Sequence, residues 1–196
     1  MSGGATRTTA PVAGFGARLL ERRRVMAGPV GCGWCGIDSL KEATRPLPTL
    51  PPDGLRLAEG DIARAITALA LAQPLHAETR AMHAAGFWTP GEGLVLARED
   101  VGRHNALDKL LGALARAGRD ASGGVIVMTS RVSIELVQKA VLARARILIV
   151  VSAPNDRAAV AAEAAGLTLI ARARGAGFDI HTHPDRIALT EVPHDA

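Results

Sequence analysis

The chain has 196 residues, a formal charge of +4, and is 48% hydrophobic and 21% charged. That length supports one substantial core, and that composition excludes a largely disordered chain. Aromatic residues make up only 3% and tyrosine is absent, so alanine, leucine and valine must build the core, and base stacking on single-stranded nucleic acid is disfavoured.

Residues 1–17 form a polar, glycine-containing start without the charged region and apolar run of a signal peptide. No stretch is apolar enough to span a bilayer. The expected setting is the cytoplasm, with thiols reduced. Arg18 to Met26 reads as a short basic helix carrying Arg22, Arg23 and Arg24, a run that a solvated face explains more simply than a partner does. Arginine outnumbers lysine along the whole chain, a surface suited to phosphorylated ligands and acidic partners.

Cysteine occurs twice, in Gly31-Cys32-Gly33-Trp34-Cys35-Gly36. Flanking glycines expose sulfur rather than bury it, and a Cys-x-x-Cys spacing can lower a thiol pKa from ~8.5 toward ~7. Thiol–disulfide exchange, a metal half-site, persulfide transfer and an inert buried pair all remain open on the pair alone. Residues 41–60 contain Pro46, Pro48, Pro51 and Pro52, which predict an extended surface connection.

Asp61 is positioned to cap a helix running to Ala72, with Ile62, Ile66 and Leu69 on one face. His83 lies in an apolar segment and reads as a core histidine. Gly93 to Ala97 predicts a strand. In Arg98-Glu99-Asp100-Val101-Gly102-Arg103-His104-Asn105-Ala106-Leu107-Asp108-Lys109, Asn105 serves as a cap, while Arg103, His104, Asp108 and Lys109 exceed what capping requires. A hydrogen-bond network shaping a site is the reading of that surplus. Asn105 to Ala117 follows as an amphipathic helix through Leu107, Leu110, Leu111 and Leu114.

Gly124 to Thr129 is a buried strand, Arg131 to Ala143 a helix, Ala145 to Ser152 a strand and Asp156 to Ala165 a helix. Strands at Leu167 to Ala171 and Phe178 to His181 complete the set. This alternation predicts an α/β fold: a three-layer α/β/α sandwich on a mostly parallel sheet. Ligands of such sheets lie at the carboxyl ends of the strands, where Thr129-Ser130-Arg131-Val132-Ser133 suits an anion, with Ser130 capping the helix. His181 and His183 have metal-pair spacing but lack an acidic companion of obvious geometry, so no metal site is assigned.

These residues together resemble the formate dehydrogenase accessory sulfurtransferases, the FdhD family. The resemblance runs from about Arg18 to Ile187 within a single domain taken as 1–196. It rests on Glu21-Arg22-Arg23-Arg24 through the cysteine segment and on Glu99 to Lys109. It continues through Ser130-Arg131-x-Ser133-x-Glu135 with Lys139, Val151-Ser152-Ala153-Pro154, and Leu167-Thr168-Leu169. The resemblance implies a fold similar to cytidine deaminases. It implies a carrier that takes persulfide sulfur from a cysteine desulfurase. The acceptor it implies is the molybdenum or tungsten bis(molybdopterin guanine dinucleotide) of formate dehydrogenase, as bound cargo with no tightly held metal of the carrier's own. By matching position, Cys32 carries the persulfide and Cys35 is the accessory thiol. The guanine-dinucleotide contact falls on Arg172-Ala173-Arg174-Gly175-Ala176-Gly177, where arginine charge and close backbone approach at glycine suit a pyrophosphate. A homodimer is also implied, without membrane or nucleic-acid partners.

The chain departs from the family pattern by beginning near the end of its N-terminal β-rich region. It also has Thr79-Arg80-Ala81 where Thr-Gly-Gly is usual, and polar residues at Asn155-Asp156-Arg157 and Arg172. Catalytic zinc is disfavoured, because no His-x-Glu precedes the cysteines. A cytoplasmic thiol–disulfide oxidoreductase is the runner-up reading, and a non-catalytic cofactor-binding chaperone the third.

Overall fold

Val125-Ile-Val-Met128 and Ile147-Leu-Ile-Val150 are continuous apolar runs, as expected of strands buried on both faces. In the computed structural model they are the two central strands of a six-stranded sheet. The structure describes residues 46–189, apart from 53 and 176, all within the unit Pro46–Ala196. The strands are β1 (Leu57–Ala58), β2 (His83–Thr89), β3 (Gly93–Asp100), β4 (Val125–Met128), β5 (Ile147–Val150), β6 (Thr168–Arg174), β7 (Gly177–Thr182) and β8 (Ile187–Ala188). The helices are α1 (Glu59–Leu71), α2 (Pro74–Thr79), α3 (Arg103–Arg116), α4 (Ile134–Leu142) and α5 (Asp156–Ala165). The sheet order is β3-β2-β4-β5-β6-β7, and β1 pairs separately with β8.

Within the six-stranded sheet the β4–β5 and β5–β6 pairings are parallel, and the β2–β3, β2–β4 and β6–β7 pairings are antiparallel. The expected sheet is therefore mixed: four of its six strands run in one direction, and β2 and β7 run against them. The reason is local: 90–92 and 175–176 are turns too short for a crossover, so β3 and β7 must fold back on their neighbours. Strand β2 had no counterpart in the sequence reading. Its Ala84-Ala85-Gly86 stretch has weak strand propensity, and burial between β3 and β4 overrides it.

Alternation along the strands divides the core in two. Val125, Val127, Ile147, Ile149 and Ile170 pack with Ile62, Ala65 and Leu69 of α1. Ile126, Met128, Leu148, Val150 and Leu169 pack with Leu107 and Leu110 of α3, Leu136 of α4 and Ala162 of α5. Helices thus cover both faces, giving three α/β/α layers among the described residues. Each fully buried Leu, Ile or Val contributes about 1.5–3 kcal/mol. Gly124 permits the closest approach in the sheet, since a Cβ there would lie 2.6 Å from the Trp88 carbonyl oxygen.

Helix starts differ from expectation in instructive ways. Asp61 is the third residue of α1, not its cap, and its Oδ2 accepts the Ala58 N–H at 3.0 Å. Gly102, not Asn105, is the N-cap of α3. Ser133, not Ser130, is the N-cap of α4, because Val132 is held extended by a parallel bridge to Pro154. The Ser130 hydroxyl instead donates to the Arg131 carbonyl at 3.1 Å. Helix α5 spans the expected residues and is capped by Asn155, whose Oδ1 accepts the Ala158 N–H at 2.8 Å. The proline-rich segment forms neither helix nor strand from Pro46 to Pro52 but is more than a surface connection. Leu50 is buried, and its N–H donates to the Ala165 carbonyl at 2.9 Å.

Candidate functional site

The register brings the unusual motifs to one end of the sheet. His83 pairs with Asp100 at the start of β2 and end of β3, and Ala85 pairs with Met128 at the end of β4. Met128 in turn pairs with Val150 at the end of β5. Helices α3, α4 and α5 all begin here, so three helix N-termini, each with partial positive charge, face the carboxyl ends of the strands. The side-chain hydroxyl of Thr129 accepts the Ala84 N–H at 2.9 Å, tying β2 to the β4–α4 junction.

The surplus charges of the Arg98–Lys109 stretch find specific partners. Asp100 pairs with Lys109, accepts the Gly102 N–H at 2.9 Å and accepts the Asn105 amide at 3.1 Å. The Lys109 hydrogen bond, then those of Gly102 and Asn105, hold the Asp100 pKa down to about 2. Asp108 accepts from Lys139 of α4 at 2.6 Å, and His104 Nε2 lies 3.3 Å from Glu135 Oε2. Two motifs some 30 residues apart are thereby joined as α3–α4 contacts. Burial lowers the pKa of His83, with Arg103 and His76 adding to the effect, which favours the neutral imidazole. His83 is half-buried rather than a full core residue.

The hydroxyl of Ser133 is buried and has no hydrogen-bond partner. As an N-cap it would ordinarily accept an N–H of its own helix, yet it makes no such bond. Leaving a buried hydroxyl unpaired costs about 1–3 kcal/mol.

Beyond Ser152, whose carbonyl accepts the Arg172 N–H at 3.4 Å, β6 and β7 continue as a hairpin projecting past the carboxyl end of β5. The expected loop 172–177 is mostly strand: Arg172, Ala173 and Arg174 belong to β6 and Gly177 opens β7. Ala173 is buried, so only its backbone could face a ligand. Arg172 has a left-handed φ of 49° where the register shifts, and its guanidinium pairs with Asp179 across the hairpin. Arg174 is exposed, and Gly175 turns the chain at φ 59°. Ala176, Cys32 and Cys35 lie outside the described residues, so their placement is not part of this geometry.

Sequence reasoning alone did not find Asp179 as the partner of Arg172, nor the His104–Glu135 contact. The Glu135–Lys139 spacing of four residues was the available signal for the latter, since it sets both on one face of α4. Among the described residues no three His, Cys, Asp or Glu side chains gather as a metal site, and His183 Nε2 lies 2.8 Å from the Glu163 carbonyl oxygen. No described helix is long and apolar enough to cross a membrane.

Comparison with known proteins places this arrangement. The sulfur carrier protein FdhD of Agrobacterium fabrum is 51% identical over 171 residues, covering 87% of this chain and 63% of that protein. Its counterpart from Brucella abortus is 55% identical over 170 residues, with the same coverage. That from Variovorax paradoxus is 53% identical over 172 residues, covering 87% and 61%. The chain thus spans a little under two thirds of the length of these relatives. A crystal structure from Desulfotalea psychrophila, described as a formate dehydrogenase accessory protein, superposes with a TM-score of 0.68 at 29% identity. That match covers 76% of this chain and 62% of the other. The profile of the FdhD/NarQ family matches residues 6–188, and the chain belongs to that family.

Proposed function

We propose that this protein is a sulfur carrier serving formate dehydrogenase, working as one sulfurtransferase domain with a cytidine deaminase-like layer order. The observation that carries the reading is the arginine–glycine hairpin of β6 and β7, projecting at the end of the sheet where three helix N-termini also gather. Such an end is suited to the phosphates of a dinucleotide tail. The names of the relatives support the sulfur-carrying part.

In the proposed reaction the Cys32 thiolate attacks the outer sulfur of a persulfide on a cysteine desulfurase. The new S–S bond forms at Cys32 as the old one breaks, and the donor cysteine leaves as a thiolate. Arg172, Arg174 and the backbone around Gly175 and Gly177 hold the guanine-dinucleotide tail of the molybdenum or tungsten substrate. The carried sulfur would then pass to that substrate: the S–S bond at Cys32 breaks, Cys32 leaves as a thiolate, and the two electrons that bring the outer sulfur to the sulfide level come from the reduced metal centre of the substrate, with Cys35 as the accessory thiol. A homodimer in the cytoplasm, docking to the desulfurase and to the dehydrogenase catalytic subunit, completes the proposal.

Intact-protein mass spectrometry after incubation with a desulfurase and cysteine tests it. One reductant-sensitive sulfur should be gained by the native chain and by Cys35→Ala, and none by Cys32→Ala. Equal gain by Cys32→Ala overturns the assignment. A Cys32–Cys35 disulfide exchanging with partner thiols, without sulfur gain, favours the oxidoreductase. Guanine-nucleotide binding without either favours the chaperone.

A further inference from the structure

We propose that the facing N-termini of α3 and α4 form an oxyanion seat, separate from the hairpin, that takes the diphosphate of a nucleotide. The inference extends the proposed function, since it names where that substrate's phosphates rest.

Four observations lead to it. Helices α3 and α4 have 14 and 9 residues, and neither N-terminus receives a side-chain cap among the described residues. Their first turns are adjacent, as the 3.3 Å contact between His104 Nε2 and Glu135 Oε2 shows. The buried hydroxyl of Ser133 stands at the N-cap of α4 without a partner. Finally, the first turn of α3 holds Arg103 and His104 and no acidic residue, and exposed Arg131 precedes α4.

A cation in a first turn opposes the helix dipole, so helix stability does not account for Arg103. An anion does. It would accept from N–H groups of the first turns, from the hydroxyl and from the guanidinium groups together. Glu135 brings a carboxylate to the same place, held 3.3 Å from His104 Nε2. By contrast, α5 already has its cap in Asn155 and offers less to a ligand.

The hairpin and the seat lie at the same end of the sheet but on different strands. The hairpin follows β6, whereas the seat lies after β3 and β4. A diphosphate in the seat would leave the hairpin arginines to hold the remaining charged part of the same substrate.

Calorimetry on the full chain with inorganic pyrophosphate and with guanosine diphosphate separates the two regions. The substitutions are Arg131→Gln, His104→Gln and Ser133→Ala at the seat, and Arg172→Gln with Arg174→Gln at the hairpin. Each variant is first checked for an unchanged unfolding midpoint, and exposed Arg131 supplies the readout if His104→Gln or Ser133→Ala fails that check. Seat substitutions should weaken both ligands on the order of tenfold for each charged group lost. Hairpin substitutions should weaken guanosine diphosphate more than pyrophosphate.

Unchanged pyrophosphate affinity in a folded Arg131→Gln chain overturns the seat, as does absence of pyrophosphate binding to the native chain. Weakening of pyrophosphate alone, with guanosine diphosphate unaffected, also overturns the nucleotide assignment and leaves a site for free oxyanions. Failure of the carrier reading shows separately, as no sulfur gain on Cys32.

Discussion

At the amino ends of β5 and β6, the buried side chains of Arg146, Thr168 and Arg186 each meet a partner from another segment, although Arg146 Nε itself makes no hydrogen bond. Arg186, 5% exposed, donates to the Gly166 carbonyl and to the Thr168 hydroxyl, each at 3.0 Å. That hydroxyl donates to the His183 carbonyl at 2.8 Å, and Arg146 donates to the Pro51 carbonyl at 2.5 Å. At the carboxyl ends the pattern is different. Two helices start uncapped, a buried serine hydroxyl goes unpaired, and arginines stand exposed on a hairpin. One end of the sheet closes the fold, and the other keeps polar capacity that no described residue engages.

Removing Arg186 should break this contrast most sharply. Arg186→Ala leaves two acceptors without their donor, and urea unfolding should show a loss of about 3 kcal/mol. Pyrophosphate affinity should be unchanged, because the substitution lies at the far end of the strands. A comparable loss of binding would show that the two ends are coupled.

A smaller effect separates two caps at the carboxyl end. Asn155→Ala removes a formed cap and should cost about 1 kcal/mol by the same measurement. Ser133→Ala removes a buried hydroxyl that caps nothing and should cost nothing, raising stability by up to about 1–3 kcal/mol as the unpaired group is removed. Equal costs would mean that Ser133 caps α4 in solution after all.

The smallest effect is in acid. The Asp100 pKa is lowered from 3.8 to about 2, so its contribution to stability is complete above pH 4 and disappears as pH falls toward 2. Glu92 and Asp120, at the other end of the sheet, are lowered as well, by hydrogen bonds chiefly from Arg119 and Ser122 respectively. Asp100→Asn should therefore flatten, without abolishing, the dependence of unfolding free energy on pH between 4 and 2. An unaltered slope would show that the Lys109 pairing does not persist in solution.

Much of the carboxyl end was legible before any coordinates. Helix Asp156–Ala165, the strand around Val125–Met128 and the grouping of motifs at strand ends all follow from apolar periodicity and chain order. What escaped was set by partners distant in sequence. Strand β2 is held by pairing with β3 and β4 rather than by its alanines and glycine, and Val132 is extended because Pro154 pairs with it. Ser130 looked like a cap from its position after a strand, but that bridge delays the helix to Ser133. The loop assigned to 172–177 shrank to its tip because β6 continues past the register shift near Arg172. The proposed sulfur chemistry was readable only through family resemblance, since spacing alone left four uses of the cysteines open.

The pairing of Arg172 with Asp179 has a thermodynamic consequence for any ligand of the hairpin. Its guanidinium is already oriented by a carboxylate on the facing strand, and its backbone is held at a left-handed φ. The rotamer entropy that a long cationic side chain would otherwise lose on capture has in large part been lost when the hairpin formed. An arriving anion must instead compete with Asp179 for the same charge. Discrimination at this tip should therefore favour multiply charged ligands over monoanions, with selectivity set by how much negative charge is needed to displace a resident carboxylate.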